Sequence, residues 1–238
     1  MERKERMGRD FYTQRRSRLL RQFDVVFKMV RSQISSEYGD EFAEKVITDA
    51  RREYEEMIPQ LPYVGGRGNI LTLIIYFSGW LVSLHRAMET HVRTPEDAVC
   101  VFFEAIRKAL TRIPRPVRRL LGRFLNSRFY VNRMKKMADK SQLRLHPGDW
   151  VFTLEEGNLE DYRWRAEYAE CAVCKLFIAQ EAEPLLPYCG VFDILISHLC
   201  GAGIVVEETI GEGGDRCIAT FKYGRETPLP EWMRSWMQ

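Results

Sequence analysis

Between Gly68 and Leu84 the chain runs for seventeen residues, GNILTLIIYFSGWLVSL, without a formal charge. Such a stretch has to leave water, either in lipid or inside protein, and its length approaches that of a membrane span. Asn69, Thr72, Ser78, Gly79, Ser83 and His85 interrupt the apolar run, however, and charged residues flank it closely. A central helix buried by its neighbours is therefore expected rather than a bilayer segment. That expectation requires a surrounding layer of helices, each apolar on one side. The sequence supplies them. Leu19, Leu20, Phe23, Val26, Phe27, Val30 and Ile34 recur at steps of three and four from Ser17 onward. After Gly39, a second helix carries Phe42, Val46, Ile47, Ala50 and Tyr54 and ends before Pro59. A third, capped by Thr94 with Pro95 in its first turn and Glu96 and Asp97 behind, carries Ala98, Val101, Phe102, Ala105, Ile106 and Ala109. The loop LPYVGGRGN (61–69) is too rich in glycine for a helix, and the first fourteen polar residues are expected to fray.

Length and composition agree with a packed protein. At 238 residues and 45% hydrophobic content, the chain can bury a core, and collagenous, mucin-like or wholly disordered classes are excluded. Residues 1–22 contain no apolar signal-like stretch, so a cytoplasmic, reducing location is expected, with the six cysteines as free thiols or ligands.

The net charge of +3 conceals a strong asymmetry. Residues 1–106 balance, residues 107–144 carry a net of +12, and residues 149–238 a net of −9. In the basic segment, arginines alternate with leucines and aromatic residues, and Pro114, Pro116 and Gly122 break it into short helices. Five readings stay open: a solvated face, contact with the acidic half or a partner subunit in a homo-oligomer, phosphate, a membrane surface, or nucleic acid. The last has no helix-turn-helix, zinc-finger or RNP-like signature behind it and is disfavoured.

Past His146-Pro147-Gly148 the pattern changes. Strands are expected at Trp150–Thr153, Tyr162–Ala169, Gly203–Ile210 and Cys217–Tyr223, with the last two antiparallel across GEGGD (211–215). A helix is expected from Pro184 to Leu199, ended by Gly201 and Gly203. The fold class is thus α+β. A helical region (1–146, including the basic segment) is expected to pack on a cysteine-containing α+β domain (147–238), the two making one compact unit.

Five of the six cysteines fall between Cys171 and Cys217. Cys171 and Cys174 form a CxxC, which serves a metal knuckle, a redox pair or inert thiols equally well. A structural zinc could recruit Cys171, Cys174, Cys189 and Cys217, but the spacing is loose and no second CxxC exists; no cofactor is the favoured reading. Cys189 is expected in the first turn or two of its helix, where unpaired amides favour a thiolate, with Asp193 one turn on. The pair suits a nucleophile with an acid/base, or a carboxylate that holds an amine. Of Glu207 and Glu208 one must face inward on the strand, and Glu208 is the acid/base reserve. GEGGD lacks the ending of a phosphate loop, so its glycines are read as making a tight hairpin.

The run from Tyr168 to Phe221, with Cys171, Cys174, Pro187-Tyr188-Cys189, Asp193, Gly201, Thr209, Gly213-Gly214 and Cys217, resembles the L-2-amino-thiazoline-4-carboxylic acid hydrolase family. Pro62, Gly65, Gly66 and Asn69 resemble that family's upstream signature. The resemblance implies a helical half joined to an α+β half that is distantly similar to 4-vinyl-reductase-like ligand-binding domains. It also implies hydrolysis of a C=N bond that opens a thiazoline ring. It makes Cys189, Asp193 and Glu208 the catalytic candidates, and Asn69, Gly65, Gly66, Thr209 and Gly214 the substrate-binding ones. Glu207-Glu208-Thr209-Ile210 replaces the basic residue expected near the threonine, which keeps a relative that acts on, or only binds, another small molecule as the alternative.

Overall fold

The computed structural model describes residues 10–158 and 160–236. The fold is α+β, with helices in the N-terminal region and helices combined with a small antiparallel sheet in the C-terminal region. Two compact units share the chain. One gathers the chain up to Ile106 with His146–Asp149 and Ala172–Leu186; the other gathers Arg107–Leu145, Trp150–Cys171 and the chain from Pro187 onward.

The helical unit is built from α1 (Arg16–Tyr38), α2 (Asp40–Met57), α3 (Thr72–Glu89), most of α4 (Pro95–Thr111) and α7 (Ala172–Ala179). Helix α3 is the uncharged run, and Ile75, Trp80, Leu81, Val82, Leu84, Ala87 and Met88 are all buried on it. Among the described residues no helix is long and apolar enough to cross a membrane. The periodic residues of α1 meet it through an aromatic stack. Phe23 lies 3.6 Å from Phe27 and 5.3 Å from Tyr54, centroid to centroid. Gly79 makes the approach to α2 possible, since a Cβ there would lie 3.1 Å from Leu61 and 3.3 Å from Tyr54. Gly39, at φ +89°, separates α1 from α2 in a backbone region that glycine adopts without penalty. At the start of α4, the Thr94 hydroxyl accepts from the Asp97 amide (3.1 Å) and the Asp97 carboxylate from the Thr94 amide (2.8 Å), a reciprocal cap. Residues 10–13 are helical rather than frayed. Tyr12 is fully buried and donates to the Pro62 carbonyl at 2.8 Å, which ties down a stretch whose polarity gave no such sign.

The second unit contains α5 (Arg115–Leu125), α6 (Arg128–Ser141), α8 (Val191–Cys200) and α9 (Glu231–Trp236) with the sheet. Its strands are β1 (Val151–Glu156), β2 (Trp164–Glu170), β3 (Ile204–Glu208) and β4 (Cys217–Phe221), in the order β1-β2-β4-β3 and antiparallel throughout. Period-two alternation puts Trp164, Ala166 and Tyr168 on one face, beside their β4 partners Phe221, Ala219 and Cys217. Trp164 stacks on Phe221 at 3.7 Å and donates its indole N–H to the Leu125 carbonyl. Ser141 and Gln142 pin the end of α6 to β1 through the Phe152 amide and carbonyl.

The helix expected over Pro184–Leu199 is two pieces, a 3-10 turn over Glu183–Tyr188 and α8. Pro187 lacks the amide that a continuous helix needs, so α8 starts afresh after Gly190. Cys189 therefore lies just ahead of the helix instead of inside its first turn.

Candidate functional site

Asp193 occupies the first turn of α8. Its side chain is exposed to solvent, while the protein packed around the start of α8 desolvates the carboxyl group. No described residue gives it a hydrogen bond or an ion pair. Its position near a helix N-terminus favours the carboxylate by about 0.3–1 kcal/mol, whereas desolvation of the carboxyl opposes it by several times that. Burial wins, and the carboxyl is pushed up to about 6.

Two phenols lie within range of this group's charge. Tyr168, from the inner face of β2, is held protonated far above its ordinary range, first by burial and then by the charge of Asp193, with Tyr130, Cys171 and Cys217 adding to it. Tyr130, from the first turn of α6, is likewise raised by burial and then by Asp193. Neighbouring rings hold both: Phe152 stacks on Tyr168 at 4.9 Å, and Phe124 meets Tyr130 edge-on at 5.6 Å.

The thiols gather at the same end of the sheet. Cys217 pairs with Tyr168 across β2 and β4. Burial pushes its thiol up to about 12; the Ile210 amide, which donates to Sγ at 3.2 Å, pulls the other way, and Cys171, Cys189 and Glu208 push further up. At neutral pH Cys217 is a neutral thiol. Cys171 directly follows β2, none of the six cysteines is in a disulfide, and Cys200 is fully buried at the end of α8. Cys174 lies in α7 of the helical unit. Among the described residues no three His, Cys, Asp or Glu side chains are gathered so as to hold a metal ion, and the zinc set Cys171, Cys174, Cys189 and Cys217 is not assembled.

Glu208 is engaged by the turn that follows it. Its carboxylate accepts from the Asp215 amide at 3.1 Å and lies 3.9 Å from Arg216 Nε. Thr209 accepts from the Glu212 amide and donates to the Glu212 carboxylate, and the Gly214 amide donates to the Thr209 carbonyl. A Cβ at Gly214 would lie 2.7 Å from Glu208 Cγ. These residues build the turn that carries Ile210 to the Cys217 sulfur.

Asn69, Gly65 and Gly66 belong to the helical unit. Asn69 donates to the Val64 carbonyl (2.6 Å) and to Asp149 (3.1 Å) and accepts from the Leu71 amide (2.8 Å), so its amide organises the entry to α3. Gly65 and Gly66 take positive φ, and a Cβ at Gly66 would strike the Phe11 ring at 2.7 Å. Gly66 and Asn69 also border a cleft of about 330 Å³, together with Arg15, Arg18 and Tyr76.

Sequence reasoning singled out Asp193, Cys189 and Glu208 and missed the two phenols. Tyr168 was legible in the alternation Trp164-Ala166-Tyr168. Tyr130, inside the basic segment, gave no signal. Compared with known proteins, the chain matches no family model, no curated protein and no solved structure.

Proposed function

We propose that the site at Asp193 binds a small molecule bearing a cationic, amidine-like group and hydrolyses it across its C=N bond, with 2-amino-thiazoline-4-carboxylate as the test substrate. One observation carries the reading: a desolvated carboxylate without a hydrogen-bond or ion-pair partner among the described residues, whose charge acts on two protonated phenols. Burying a charge is costly unless it is paired, so such a carboxylate is a receptor for a cation or a proton. An amidinium supplies the positive charge and the N–H donors together.

Chemically, a carboxyl near 6 can both accept and return a proton close to neutral pH. Water adds to the amidine carbon while Asp193 takes one of its protons, and the ring nitrogen keeps its own proton. The tetrahedral adduct then expels the ring sulfur, which receives the proton back from Asp193, while the adduct's hydroxyl becomes the carbonyl and releases its proton to water, leaving a carbamoyl group and a free thiol. Tyr130 and Tyr168 would donate to the oxygen that develops on that carbon. Cys189, just ahead of α8, is the alternative attacking group; its thiolate would add to the same carbon and be released by water. Free cysteines suit the cytoplasmic location expected from the sequence.

The second reading is a binding or sensor module without turnover. It is favoured by the neutral state of Cys217 and by the commitment of Glu208 to its turn, which leave fewer groups for chemistry. Calorimetric titration with aminothiazoline carboxylate, paired with an assay for released thiol, separates the two. Binding with turnover, both lost in Asp193→Asn, is the expected result. Binding without turnover selects the module, and no binding by the wild type ends both readings for this ligand.

A further inference from the structure

Helix α5 is turned inside out. Its ridge of residues 118, 122 and 126 packs on the end of α8: Arg118 donates to the Leu199 carbonyl at 2.9 Å, and Asn126, at the C-cap, donates to the Ala202 carbonyl at 3.0 Å. Between them, Gly122 approaches so closely that a Cβ would lie 2.2 Å from the Cys200 carbonyl oxygen. The helical repeat then forces Val117, Leu120, Leu121 and Phe124 onto the opposite side. All four are exposed, Leu120 by 60%, and Phe129 at the start of α6 by 68%. Only Gly122 is buried along the whole helix. An ordinary surface helix does the reverse and buries its large apolar side chains.

Charge decides what covers this ridge. Arg119 projects on the flank between the packed and apolar sides, and Arg112 and Arg115, just ahead of and at the start of α5, are exposed as well. They belong to the segment of net charge +12. A second copy meeting the same face would set like charge against like. A lipid surface accepts a protruding apolar ridge without needing a preformed groove, and its anionic headgroups lie at the level of the flanking guanidinium groups. We infer that α5 and the start of α6 form a docking surface for an anionic lipid bilayer, the apolar ridge lying in the interface and the arginines among the headgroups.

Co-sedimentation of the full chain with vesicles tests this, using phosphatidylcholine alone and phosphatidylcholine mixed with phosphatidylglycerol. The chain should pellet with the mixed vesicles, stay in solution with the neutral ones, and be released by salt. Leu120→Gln with Phe124→Gln should weaken the partition by about tenfold or more. Arg115→Glu with Arg119→Glu should weaken it while keeping the apolar ridge. All four side chains are exposed, and unchanged circular dichroism and melting confirm that the variants fold. A wild type that ignores anionic vesicles, or an apolar double variant that binds as well as the wild type, overturns the proposal. A dimer in solution that the same double variant dissociates overturns it in favour of a second copy as the occupant.

Discussion

The charge of Asp193 on α8 reaches the phenol of Tyr168 on β2 and, after burial, is the leading cause that keeps that phenol protonated. The carboxylate itself has burial alone acting on it. A carboxyl raised to about 6 is a penalty on the folded state wherever it is charged. The penalty is complete above about pH 6 and disappears below the ordinary aspartate value of roughly 4, where both states hold the proton. Stability should therefore rise as pH falls through this window, and Asp193→Asn should remove that component and be the more stable protein at pH 7. Denaturant melts of both proteins across the range test the sign. A direct carboxyl titration, by infrared or NMR, should place the group near 6.

Tyr168→Phe keeps the ring stacked on Phe152 and removes only the hydroxyl. Stability should change by about 1 kcal/mol or less. Affinity for an amidine-like ligand, or its turnover, should fall by about tenfold or more if the phenol donates to it. Calorimetric titration beside a denaturation curve distinguishes this from a structural effect.

Gly122→Ala sets two effects against each other. Alanine gains about 1 kcal/mol of helix propensity, but its Cβ meets the backbone carbonyl of Cys200, which cannot swing aside as a side chain would. Overpacking of this kind costs typically 1–3 kcal/mol and sometimes more. The variant should melt lower than the wild type; a higher melting temperature would mean that α5 does not pack on α8 as described.

Cys217, with its thiol up at about 12, should resist alkylation by iodoacetamide at pH 8 while the protein is folded and react at an ordinary rate once it is unfolded. Peptide mass spectrometry after timed labelling reads this out. Cys100, raised to about the same value by burial and by nearby carboxylates, should behave alike.

Asn69→Ala removes a side chain that joins two backbone groups and Asp149. A loss of about 1–3 kcal/mol is expected, since the partners are partly buried and each loses a hydrogen bond. Chemical denaturation measures it.

Local pattern is what could be read from the chain alone. The uncharged run became α3 because nothing but protein could cover it. The steps of three and four through Phe23, Phe27 and Val30 became a buried helical stripe, and the alternation of Trp164, Ala166 and Tyr168 became one face of a strand. Thr94 and Gly201 acted as a cap and a stop because their chemistry permits little else. Asp193 and Cys189 stood out for the same local reason, their nearness to a helix start.

Which faces meet was settled only by tertiary structure. The alternation of arginine with leucine and aromatic residues along α5 left open what the helix lies against; Gly122 let one ridge approach α8, and the apolar side turned outward. Tyr130 and Tyr168 reach Asp193 only through the packing of α6 on β1 and the strand order β1-β2-β4-β3, which join residues far apart in the chain. Periodicity records how a residue is oriented on its own element. It carries no record of which element arrives opposite, because that depends on the summed burial and hydrogen bonding of the whole chain.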